Sequence, residues 1–167
     1  MDNVGRFMSW LESLPLAVFI NESEWAFAAI ESVHVIALAL VLGTIAVVDL
    51  RLLGLAWANR PYTEVSREVL PWTWGAFVFS VATGSLMFIT QAPAYYVNVA
   101  FRLKMLLLLL AGMNMLIFEL ITARAAAQWD RGTPIPPAGK IAATLSLAFW
   151  IAIIFFGRRI GFTMMPE

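Results

Sequence analysis

The sequence has no cysteine. This removes disulfides, thiolate metal ligands and iron–sulfur clusters from consideration. It has a single histidine, His34, so a metal site built from several imidazoles of one chain is also excluded. Charge is scarce and balanced: 13% of residues are charged, with 11 basic and 11 acidic side chains. Such a chain offers no basic surface to a nucleic acid. What it has in excess is apolar: 61% of its 167 residues are hydrophobic and the mean hydropathy is +0.81. Soluble domains are roughly 45–50% apolar, so this composition belongs to an integral membrane protein.

A helix needs about 20 apolar residues to cross the hydrocarbon layer, and the chain contains four such runs. The pattern predicts spans over about 25–58, 70–89, 101–123 and 137–162. Pro61, Pro93 and the run "GTPIPP" fall between them, where a missing backbone donor costs nothing. Short connections and no barrel-like alternation predict an all-α, up-down four-helix transmembrane bundle in the lipid bilayer, over residues 21–167. Residues 1–20 place Val4, Phe7, Met8, Leu11 and Leu14 on one helical face, which reads as an amphipathic interfacial helix closed by Pro15. Arg60, Arg67, Arg124, Arg131 and Lys140 flank the first and third connections. Arg102, Lys104, Arg158 and Arg159 lie against apolar runs and carry less weight for orientation. A multi-pass protein of a bacterial inner membrane with both termini periplasmic is therefore expected.

The stretch "EWAFAAIESVHVIALALVLGTIAVVDLRLLG" raises the functional question, because its apolar length carries Glu31, His34, Asp49 and Arg51. Ionisable groups at such depth normally face a bundle interior, a partner or a cavity. Glu31 and His34 are three residues apart and share a helix face. Asp49 lies within about 60° of that face, roughly 22 Å further along. Asn114 and Glu119 add polar positions to the third span. Glu-x-x-His is half of a carboxylate-bridged dimetal site, and a complete one would need a second protomer. Histidine is also the commonest haem ligand, and Met87 and Met105 fall at a similar depth for the opposite position. Arg102, Lys104, Arg158 and Arg159 supply cations for haem propionates or a quinone headgroup. A copper(I) site made from His34 and methionine sulfurs satisfies the same residues. A lone intramembrane histidine that only bridges helices by hydrogen bonding stands beside these readings.

The strings "ESVHVIALALVLGTIAVVDLRLLG", "PWTWGAFVFSVATGSLMFITQA", "Y..N.AFRLKMLLLLLAGMN" and "GRRIG" resemble a bacterial family of four-helix membrane proteins of unknown function, from Trp25 to about Gly161. More distantly, Phe101, Arg102, Lys104 and Asn114 look like the membrane part of copper-resistance D-type proteins, whose relatives include b-type cytochromes. In the family the position after "NMLIF" is often histidine, whereas here it is Glu119. The resemblance thus points to haem b or copper on His34, for electron transfer or redox sensing with a quinone or a periplasmic redox partner; a bundle of this size has little shielded interior for a macrocycle, so a homo-oligomer is expected. Glu31 is then expected to orient or tune His34. Two other roles remain open: a proton or cation path through Glu31, His34, Asp49 and Glu119, and a cofactor-free accessory subunit. No nucleophile-plus-base constellation supports a hydrolase or transferase.

Overall fold

The computed structural model describes residues 3–130 and 134–164, and among these there is no strand. Arg131, Gly132 and Thr133 of the expected third connection lie outside the described residues. Four helices are long and apolar enough to cross a membrane: Ala26–Leu53, Tyr62–Thr90, Val99–Thr122 and Pro137–Thr163. The expected transmembrane bundle is therefore found, and the protein is multi-pass.

Local chemistry explains where these elements begin and end. The N-terminal segment forms two helices, α1 (Asn3–Glu12) and α2 (Pro15–Glu22), instead of one. Pro15 opens the second rather than closing the first, since its fixed φ and missing N–H suit a first helical turn. The first span, α3 (Ala26–Leu53), starts where Ser23 Oγ accepts from the Ala26 amide at 3.2 Å. It stops five residues short of the sequence expectation because Gly54 takes a left-handed φ of 75°. There the Leu55 amide turns back onto the Leu50 carbonyl at 3.0 Å.

The second span, α4 (Tyr62–Thr90), begins eight residues before the apolar run and passes through Pro71 unbroken. Its early start has a cause in a distant part of the chain. Asp130 accepts from the Tyr62 amide, from the Thr63 amide at 3.1 Å and from the Thr63 hydroxyl. A carboxylate there satisfies free amides and opposes the positive end of the helix dipole. A short helix, α5 (Ala92–Val97), carries Pro93 and leads to α6 (Val99–Ile117). Asn98 caps α6 through the Phe101 amide at 3.1 Å and donates to Thr163 Oγ1 at 2.8 Å. The third span continues past α6 through a π-helical turn at Phe118–Thr122. A 3₁₀ turn and α7 (Ala126–Trp129) follow, and α8 (Pro137–Thr163) is the fourth span.

The packing is that of a protein dissolved in lipid. Ile36, Leu40, Phe79, Leu109, Ile151 and Phe155 point outward, while His34, Asp49, Ser80, Thr83 and Thr90 are buried. Polar groups turn inward because hydrocarbon offers them no partner. Three apolar clusters fill the interior. Tyr62, Phe118 and Trp129 anchor the end closed by Asp130, Val41, Ala76, Trp150 and Ile153 fill the middle, and Tyr95, Ala100 and Ile160 anchor the end carrying the termini. Asn21 Nδ2 fastens α2 to the Thr90 carbonyl at 2.9 Å.

The ring of helices is incomplete. α3 packs along α4, α6 along α8, and α3 also meets α8, whereas the backbones of α4 and α6 stay apart and their side chains meet at one end, where the rings of Phe88 and Phe101 stack at 5.4 Å. A seam therefore runs between the second and third spans in the half away from that ring pair.

Candidate functional site

The buried imidazole of His34 faces α4. Its Nδ1 lies 3.0 Å from Thr83 Oγ1, and that hydroxyl donates to the Phe79 carbonyl at 2.7 Å. Since the hydroxyl proton is used on Phe79, Thr83 accepts from Nδ1–H. This tautomer leaves the lone pair on Nε2. Beneath the ring lies Gly84, where an added Cβ would stand 3.0 Å from His34 Cε1, so the missing side chain makes the seat. The result is an oriented imidazole inside the bundle, which can bridge helices or ligate a metal.

Lys104 reaches this region from α6. Its Cδ, Cε and Nζ lie against Gly157 of α8, another position where the absent side chain provides room, and its charge is within electrostatic range of His34. Arg102, Arg158 and Arg159 are exposed, with the Arg158 guanidinium 5.3 Å from the centre of the Phe162 ring. Met105 is also exposed and Met87 is half-buried. Glu31 is exposed and makes no hydrogen bond to His34; the group that holds the imidazole is Thr83. The nearer effect of Glu31 is on α5, where burial and then the Glu31 charge push the Tyr95 phenol above its usual range.

A second constellation occupies the other half of the bundle. Asp49 is only 6% exposed, and its Oδ2 has no hydrogen-bond partner. It borders a cavity of ≈ 410 Å³ whose polar lining also includes Glu119, Asn114, Tyr62, Thr73 and Ser146. Ser146 flanks the carboxylate, and Asn114 ties α6 to α8 by donating to the Ala142 carbonyl at 2.9 Å. Glu119 lies in the π-helical turn, a local widening that recurs at functional sites. Arg51 makes no ion pair with Asp49. It is buried and donates from Nε to the Arg60 carbonyl, holding the first connection against the bundle. Arg60 in turn clasps Glu64 and Glu68, which raise its pKa further above the ordinary arginine value.

The structure thus separates the predicted residues into a His34 group and an Asp49 group. Among the described residues, no three His, Asp or Glu side chains come together in a metal-binding cluster. Thr83, Tyr62 and Ser146 were not singled out from the sequence. Thr83-Gly84 carried a usable signal, because small and hydroxylated residues in a span favour close helix packing and interhelical bonds. Tyr62 and Ser146 carried none, since their role depends on which helices face one another.

Fold and site together define an integral membrane four-helix bundle with a polar interior. Residues 7–163 match the family of unknown function DUF6644, and the chain belongs to that family. Neither curated proteins nor solved structures give a significant match, copper-resistance and cytochrome-like proteins included.

Proposed function

We propose that this protein is a small membrane redox component that carries haem b on His34. The observation supporting this reading is the orientation of the imidazole, with Nδ1–H committed to Thr83 and the Nε2 lone pair left over. Metal-ligating histidines almost always have the other ring nitrogen held in this way. The donor set fits in part: one imidazole and the nearby cation of Lys104, with Arg102, Arg158 and Arg159 at the exposed ends of their helices. His34 would hold the iron, and the cations would neutralise propionates or meet a quinone headgroup. When bound, the group supplies one-electron chemistry. Thr83 holds the ring's orientation and Gly84 gives the ring its seat.

Because His34 is buried against its own α4, a second copy's histidine is poorly placed to share the site. A methionine or water would then complete the donors that His34 begins. In this reading the first and third connections face the cytoplasm of a bacterial inner membrane, and both ends of the chain face the periplasm.

The test is an absorption spectrum of protein extracted in mild detergent from its native membrane, oxidised and then dithionite-reduced, with parallel metal analysis. A Soret band with sharpened reduced bands, lost in His34→Ala, is the expected result. A featureless visible spectrum from protein shown to have kept its bound components overturns the haem reading, and copper in the metal analysis replaces haem with a copper site.

A further inference from the structure

The cavity beside Asp49 is independent of His34 and has the features of a binding site. At ≈ 410 Å³ it falls within the roughly 300–1,000 Å³ of small-molecule pockets, which are mostly apolar with a few converging polar groups. No Lys, Arg or His lines it, yet Asp49 and Glu119 both do. Asp49 Oδ2 is buried and makes no hydrogen bond. An unsatisfied buried acceptor is costly, and a carboxylate more so than a neutral group. The Ser146 hydroxyl stands beside the carboxylate, and Oδ2 is left open to a further donor.

The way in is also visible. The stacked rings of Phe88 and Phe101 close the seam between α4 and α6 at one end, and in the other half the backbones stay apart and the cavity is lined from both helices. Trp74, Gly112 and Leu116 line the cavity and are themselves exposed on the lipid-facing surface. Water-soluble ligands would not find this opening, whereas molecules dissolved in the bilayer would.

We propose that this cavity binds a membrane-dissolved amphiphile, which enters between α4 and α6 and donates hydrogen bonds from its headgroup to Asp49. Glu119 is the second acceptor, placed by the π-helical turn. The apolar tail stays in the seam. Two kinds of molecule share this chemistry, a long-chain amine and a hydroquinone.

Trp74 and Trp150 both line the cavity, so intrinsic fluorescence can report occupancy. The full chain in lipid nanodiscs would be titrated with dodecylamine, with a decyl-hydroquinone and with the corresponding decyl-quinone, which lacks donors. The expected result is a saturable response to at least one donor probe, weakened about tenfold or more in Asp49→Leu, with the quinone binding weakly to both. Response to the amine alone assigns a cationic headgroup, and response to the hydroquinone alone a neutral one. If Asp49→Leu does not fold, Gly112→Phe narrows the seam at a position where an added Cβ meets nothing within 4 Å. It should weaken the same response. Absence of a saturable response to both donor probes overturns the proposal, as does unchanged affinity in whichever of the two variants folds. The result is read without reference to a Soret band, so this proposal and the haem reading stand or fall separately.

Discussion

Gly84 and His34 behave as a hole and its knob. The imidazole rests where any side chain on residue 84 would stand, 3.0 Å from Cε1 for a bare Cβ. Gly84→Val is therefore expected to destabilise the protein by about 1–3 kcal/mol, the usual range for overpacking. In the His34→Ala background most of that cost should vanish, because the ring that clashes is gone. Thermal unfolding of the two single variants and the double variant measures this coupling; an equal cost of Gly84→Val in both backgrounds would show that the ring does not occupy the seat. His34 was legible in the sequence as the sole histidine in an apolar run. Its partner was not, because helix spacing proposed Glu31 on the same face and could not see Thr83 on the neighbouring helix. A similar limit applied to Asp49, whose depth was evident but whose cavity depends on four helices at once.

Among the elements, α4 shows how a distant residue sets a helix boundary. Hydropathy placed its start near Leu70, because Thr63, Glu64, Arg67 and Glu68 are polar. The helix instead begins at Tyr62, where Asp130 takes up the Tyr62 and Thr63 amides. Asp130→Ala should cost about 1–2 kcal/mol, the upper part of the usual range for a lost N-cap, while Asp130→Asn should retain part of the stabilisation. Chemical or thermal unfolding in detergent would test the order wild type, Asn, Ala; equal stability of all three would remove the cap from the account. The loss should be felt locally as well, since Tyr62 packs its ring 5.6 Å from that of Trp129 and 5.7 Å from that of Phe118. The long apolar spans were readable because lipid imposes a length and a composition on them. Pro15 was misread as a terminator because proline is tolerated equally after one helix and in the first turn of the next.

For the whole molecule, composition alone fixed solvent and topology: an apolar chain with four long hydrophobic runs has little choice but a helical bundle in a bilayer. The seam between α4 and α6 could not be read in the same way, because lipid-facing and seam-facing apolar residues look alike in sequence. Four spans return the chain to the side on which it began, and the fold agrees. Asn21 of α2 bonds to the Thr90 carbonyl, and Thr163 of α8 meets Asn98 at the head of α6, so both ends of the described chain gather at one end of the bundle. The proposed orientation rests on charge. Arg60, Arg67, Arg124 and Lys140 lie at the opposite end in or beside the connections, where the positive-inside rule operates most strongly. Arg102, Lys104, Arg158 and Arg159 sit within α6 and α8, and Lys104 is drawn back into the bundle over Gly157. Reporter fusions at each terminus should therefore give alkaline phosphatase activity and no fluorescence from cytoplasm-dependent green fluorescent protein. The reverse pattern at both ends would invert the molecule, placing His34 in the cytoplasmic half of the membrane and the Asp49 cavity in the outer half. A fusion within the first connection should behave oppositely to both ends in either case, because that relation depends on the number of spans and not on charge.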